Sequence, residues 1–131
     1  MMLREVAKYS WIFCIGAVLY SATEVLWRGY THWSMTLSGG LCLCLMYLLC
    51  TIFSDKPVWL RCILCSTAIT AVEFAVGCTV NLWLKWNVWD YSSHFCNVLG
   101  QICPLYSFLW CLLSLPVVLL IEKLPFLRTV Y

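Results

Sequence analysis

Two carboxylates stand where carboxylates are rare: Glu24 and Glu73 each lie inside a long apolar run. A charge at membrane depth is costly, so it normally faces a partner, a water-filled cavity or a substrate path. Counted from Tyr9 and Trp59, each lies about 21–23 Å along its helix at 1.5 Å per residue. If both helices enter from the same side, the carboxylates are level. Arg28 follows Glu24 at the four-residue spacing of an intrahelical ion pair. No cation falls within one turn of Glu73. Its expected donors are Tyr91, Asn97 or Gln101, or else Arg28 reaching across to build a Glu-Arg-Glu cluster. Such a cluster either binds a cation, a proton or a polar substrate, or it locks helices together as a structural polar cluster.

Other chemistries are poorly supplied. There is no Walker A pattern, dinucleotide fingerprint or zinc-helix motif, so any ATP hydrolysis belongs to a separate ATPase chain. Ser92 and Ser93 have no adjacent base, and an enzyme is not expected. Cys62 and Cys65 form a CxxC, but no second ligand pair accompanies it. Neither a metal nor a cofactor is therefore assigned. His32 and His94 are expected to be solvated in outer loops. Of the ten cysteines, Cys14, Cys42, Cys44, Cys50, Cys78 and Cys111 sit in apolar spans, where cysteine packs as a small hydrophobe. Cys96 and Cys103 flank a loop and could pair in an oxidising space. The basic residues are scattered, which gives no footprint for nucleic acid.

The elements that must position these groups are membrane spans. The 131 residues are 63% hydrophobic and 11% charged, whereas a soluble domain carries about 25% charged residues. The expected fold is all-α and polytopic, a single integral membrane domain over 1–131. Its four transmembrane helices, at about 9–27, 35–53, 58–84 and 102–121, form two hairpins in the lipid bilayer. Pro57 is placed at the start of the third helix. Arg4 and Lys8 before an apolar stretch resemble a signal peptide, but Glu24 and Trp27 follow the small residues directly, so no cleavage is expected. Arg4, Lys8, Lys56, Arg61, Lys123 and Arg128 would share one side, against Arg28 and Lys85 on the other. That asymmetry predicts a cell-membrane protein with both termini cytoplasmic. Trp11 and Trp59 then fit an inner aromatic belt; Trp27, Trp33, Trp83, Trp86 and Trp89 fit an outer one, and mid-span Trp110 a packing role.

The two halves echo each other. Ala22-Thr23-Glu24-Val25 resembles Ala71-Val72-Glu73-Phe74, and Gly39-Gly40-Leu41-Cys42 resembles Gly100-Gln101-Ile102-Cys103. Each glycine is placed at the start of a returning helix. The second hairpin carries a longer outer loop, polar and aromatic, that either re-enters the membrane or lies over it. Asp90 and Ser92 are turn formers there. Asn97 either caps the fourth helix or accepts from an amide near its start, and Gly100 permits an unusual dihedral or a close approach. A polar loop at membrane depth must be buried in protein or line a cavity.

Trp89-Asp90-Tyr91-Ser92, the Asn97-x-x-Gly100-x-Ile102-Cys103 run, Trp110 and the upstream Glu73-x-x-x-Gly77 resemble the CmpB family of ABC-transporter type IV permease-like membrane proteins. The match covers Ala71 to Ser114 well. In the first half, Glu24 and Arg28-Gly29 match the early glutamate and Arg-Gly of that family. Gln101 stands where an Arg is common, and a first loop rich in Gly-Pro is missing. The resemblance implies a permease or transport component with a polar intramembrane site drawn from Glu24, Arg28, Glu73, Asp90, Tyr91, Asn97 and Gln101. Four helices are few for a conduction path, so a homodimer or larger transporter complex is expected. The alternative is a non-catalytic membrane scaffold or accessory subunit.

Overall fold

Long apolar runs with few charges leave the backbone nothing to bond to in a bilayer except itself, and the helix is the solution. The computed structural model describes residues 1–124. It contains α1 (Met2–Arg28), α2 (Trp33–Ile52), α3 (Val58–Gly77), a π-helical turn (Cys78–Trp83) that prolongs α3, and α4 (Pro104–Lys123). No strand occurs among the described residues, and a lone Val98–Ile102 bridge closes a turn in the last loop. Four helices are long and apolar enough to cross a membrane, the third including the π turn. Only 11–33% of each span is buried within the protein, so most of the apolar surface faces outward, as a lipid-facing surface must. Arg128, counted above among the basic residues, lies outside the described residues.

The helix ends have local causes. The first helix begins before Tyr9, and Glu5 and Lys8 pair at 2.9 Å on its exposed first turns. It stops at Gly29, whose φ of 81° is left-handed and whose N–H donates to the Val25 carbonyl at 2.8 Å. His32, expected in solvent, instead caps α2. Its Nδ1 accepts from the Ser34 amide at 3.2 Å and lies 2.7 Å from the Ser34 hydroxyl. Pro57 stands one residue ahead of α3 in an extended conformation, and Pro104 opens α4.

The chain forms two compact units, Met1–Cys44 and Leu45 onward. In the first, α1 packs on the first half of α2 at very short range. A Cβ on Gly16 would lie 2.6 Å from the Leu43 Cβ and 2.8 Å from the Gly39 carbonyl, and one on Gly40 would strike the Phe13 ring. Small residues here let the backbones approach. Gly39 and Gly40 therefore sit within α2 rather than at its start, and Gly100 lies in a loop. The expected equivalence of these glycines does not hold. Ser21 and Thr36 join hydroxyls across the same seam at 2.8 Å.

In the second unit α3 packs on α4 along a polar seam. Ser66 Oγ donates to the Ser107 carbonyl at 2.5 Å, and the Thr70 and Ser107 hydroxyls meet at 2.9 Å. Arg61, counted above only for its charge, is buried; its Nη2 pairs with Glu122 and its Nε donates to the Lys56 carbonyl at 3.1 Å. Cys50, Cys62 and Cys65 are buried, in keeping with a packing role, whereas Cys14 faces outward. Cys96 and Cys103 are not bonded to each other: Cys96 is exposed and Cys103 buried.

The Gly16 contact has a direct consequence. Gly16→Ala should drive α1 from α2 and cost about 1–3 kcal/mol through overpacking. Thermal unfolding in detergent should show the loss, whereas Gly29→Ala, which meets nothing within 4 Å, should be limited to the backbone strain of its left-handed φ.

Candidate functional site

Glu73 is 7% exposed on the fifth turn of α3. A buried carboxylate needs donors brought to it. Tyr91 supplies its hydroxyl to Oε1 at 2.8 Å, and Trp110 supplies its indole N–H to Oε2 at 3.2 Å. The first comes from the loop before α4 and the second from the second turn of α4. Tyr91 was expected as a donor. Trp110, expected only to pack, carries a hydrogen bond as well. Tyr106 stacks on Tyr91 with centroids 4.4 Å apart and planes 7° apart, and His94 meets both rings edge-on at 5.6 and 5.5 Å. His94 is thus half-buried in this aromatic nest rather than solvated.

The loop is held over α3 by a second polar group that the sequence did not single out. Asn81 lies in the π turn and is buried. Its Oδ1 accepts from the Val88 amide at 2.7 Å and the Trp89 amide at 3.5 Å, while its Nδ2 donates to Gln101 Oε1 at 2.8 Å. Gln101 Nε2 donates to the Leu99 carbonyl at 2.9 Å, and the Gln101 carbonyl accepts from the Trp89 indole at 3.0 Å. Gln101 therefore serves the loop rather than Glu73, which corrects the expected hydrogen bond. Trp89 also leaves the expected outer belt, since it is buried. Gly77 permits this contact: a Cβ there would lie 2.6 Å from Gln101 Oε1 and 2.9 Å from Trp89 Cζ2. The only sequence signal for Asn81 was an amide side chain inside an apolar run.

Asp90 and Asn97 shape the tip of the loop. The exposed Asp90 carboxylate accepts from the Ser92 amide at 2.9 Å, an Asx turn. That hydrogen bond, followed by one from the Ser92 side chain, holds the Asp90 pKa below the usual aspartate value. Asn97 does not cap α4, whose cap position is Cys103 with no side-chain bond. Its Oδ1 accepts from the Gly100 amide at 2.9 Å, and its Nδ2 donates to the carbonyls of Ser92 and His94. Of the two alternatives, acceptance from an amide near the helix start is the one observed. Gly100 has φ 72°, and a Cβ there would lie 2.9 Å from Asp90 Oδ1. Lys85, Asn87, Cys96 and Leu99 also have positive φ, a cost of order 1–3 kcal/mol for each strained residue that the surrounding bonds must offset.

Glu24 belongs to the other unit and has its own setting. It is buried at 8% exposure. Arg28 Nε donates to its Oε2 at 2.6 Å, and the Tyr20 hydroxyl to its Oε1 at 3.1 Å. Both come from its own helix: Arg28 at the expected four-residue spacing, and Tyr20, which was not expected, four residues before. Arg28 also lies over the Tyr30 ring at 4.8 Å. Among the described residues no group of three or more metal-ligating side chains lies together.

Four apolar helices with a polar, aromatic loop folded onto the third define a multi-pass membrane protein. The family model described as "Putative ABC-transporter type IV" matches residues 11–129, and the chain belongs to this CmpB family. No curated protein and no solved structure matches the chain.

Two outcomes follow from the loop. Asn81→Leu orphans the buried Val88 amide and one group of Gln101, at about 1–3 kcal/mol for each unsatisfied group. Hydrogen exchange should accelerate over residues 84–103 while α1 stays protected. The Asp90 bond should make the loop tip acid-sensitive. A carboxyl whose folded pKa is depressed contributes stability above its unfolded pKa, and that contribution is lost as pH falls through the folded value. The Ser92 amide resonance should therefore move only as pH falls below the ordinary aspartate value, about 3.9, and Asp90→Asn should remove that titration while keeping the turn.

Proposed function

We propose that this chain is the membrane-embedded component of a transport system, with the Glu73 nest as its polar intramembrane site. The observation that carries the reading is a buried carboxylate whose donors, Tyr91 and Trp110, arrive from a loop and a neighbouring helix. A site assembled from separate elements can open and close, whereas one built within a single helix turn cannot. Its ligand would be a cation, a proton or another polar solute, and the loop from Asp90 to Gln101 would act as the outer gate. Membership of the ABC-transporter family supports a transport role. The chain would then work as a homodimer or within a larger complex, with ATP hydrolysis on a separate chain. We place it in the cell membrane with both termini cytoplasmic. Removing the buried, paired Arg61 from the positive-inside count still leaves more basic residues on that side than on the other.

A second reading is favoured by Glu24. Its ion pair with Arg28 is made within one helix, as in a structural polar cluster. If Glu73 is of the same kind, the protein is a non-catalytic scaffold or accessory subunit.

Glu73→Gln separates the two. For a transport component, proteoliposomes should lose flux more than about tenfold, a change equivalent to about 1.4 kcal/mol in the relevant equilibrium. Fluxes of H⁺, Na⁺ and K⁺ would be followed with ion-sensitive dyes, and the melting temperature in detergent should hold. Tyr91→Phe should reduce flux less. Wild-type flux retained by Glu73→Gln, or a variant that melts earlier without losing flux, would sink the transport reading.

A further inference from the structure

A cysteine that only fills space behaves as a small hydrophobe among apolar neighbours. Cys50 has other company. It lies near the end of α2 and is 3% exposed. Its thiol is hydrogen-bonded to the thiol of Cys65 on α3, which is fully buried. The Arg61 guanidinium hydrogen-bonds Cys50 as well. A guanidinium has donors only, so the Cys50 sulfur accepts that bond. Glu122 meets the same guanidinium from α4. Two thiols and an ion pair therefore stand together inside the second compact unit.

Spacing along the chain and packing in space choose different partners for Cys65. By spacing, Cys62 completes the CxxC with it. In the fold the hydrogen bond of Cys65 goes to Cys50, and buried Cys62 feels the Cys111 thiol of α4 more strongly than that of Cys50. The thiolate is the attacking form of cysteine, and Arg61 sets a positive charge beside the Cys50 sulfur.

We propose that Cys50 and Cys65 are a peroxide-responsive dithiol that closes into a disulfide between α2 and α3, with Cys50 attacking and Cys65 resolving. The Cys50 thiolate attacks one oxygen of hydrogen peroxide. The O–O bond breaks, an S–O bond forms, and the second oxygen leaves as water with the proton that Cys50 gave up. Cys65 then attacks the sulfenic sulfur. The S–S bond forms, the S–O bond breaks, and the hydroxyl leaves as water with the Cys65 proton. The two sulfurs lose two electrons in total and the peroxide gains them. Burial selects the oxidant, since a small hydroperoxide can enter where a bulky disulfide cannot. Cys14 and Cys96 are exposed and open to bulky reagents.

The test uses the full chain in nanodiscs. Outward-facing thiols are capped with a bulky maleimide, hydrogen peroxide is added, and unreduced digests are read by mass spectrometry. The expected product is one cross-link between the Cys50 and Cys65 peptides, opened by dithiothreitol. Cys65→Ser should halt the reaction at a Cys50 sulfenic acid, trapped by dimedone. Cys50→Ser should give neither the cross-link nor a dimedone adduct on Cys65. Cys62→Ser should keep the cross-link. If a variant folds poorly, the position of the cross-link in the wild-type chain still decides. Free thiols at both positions after peroxide, a Cys62–Cys65 bond, or cross-links with no preferred pair would overturn the assignment. A dimedone adduct on Cys65 in Cys50→Ser would overturn the order of attack. None of these readouts involves flux through the Glu73 site, so the transport reading stands or falls separately.

Discussion

Water is not at hand inside a bilayer, so a carboxylate placed there must have its hydrogen-bond donors carried to it. Glu73 imposes that requirement on the second compact unit. Its two oxygens are met by Tyr91 and Trp110. Tyr91 reaches it only if the loop before α4 folds back onto α3 rather than standing clear of it. Trp110 reaches it only if α4 packs in one register, the register that also aligns Ser66 and Thr70 with Ser107. One buried charge thus ties together the loop, the helix pairing and the hydroxyl contacts along the seam.

The loop can fold back because α3 does not end as an ordinary helix. The π turn at Cys78–Trp83 carries Asn81, whose amide satisfies two backbone N–H groups of the loop and one end of Gln101. Gly77 leaves room for Gln101 and Trp89 against the helix. Several residues with positive φ are held by these bonds and by the Asp90 and Asn97 turns. π turns and strained dihedrals tend to gather where a structure does work, and here they adjoin the aromatic residues around Glu73.

The other buried charges are handled differently. Glu24 is served from its own helix, by Tyr20 and Arg28. Its unit depends on close backbone approach through Gly16, Gly39 and Gly40. Arg61 and Glu122 join two helices at the far end of the seam, where Pro116 has already weakened the backbone of α4. Breaking a buried pair by removing one partner is costly because the remaining charge is stranded.

The spans were legible in the sequence because the bilayer reads only length and apolarity, which are local properties. The four helices fall within a few residues of their expected limits, apart from the longer start of α1. The Glu24–Arg28 pair and the Asp90 turn were legible for the same reason, being set by spacings of four and two residues. Trp110, Asn81, His94, the burial of Trp89 and the pairing of Arg61 were not, and the role expected of Gln101 was misplaced. Each of these depends on which side chain from a distant part of the chain arrives opposite. A tryptophan in an apolar run has one identity for packing and for donating to a carboxylate, and spacing along its own helix does not distinguish them. Composition and the lengths of the apolar runs determined that this chain forms four membrane-spanning helices with two acidic residues inside them. Which donors reach Glu73, and that Arg61 faces Glu122, was decided only by the packing of α3, the loop and α4, because a hydrogen bond between remote residues exists only once the backbone has brought them within about 3 Å.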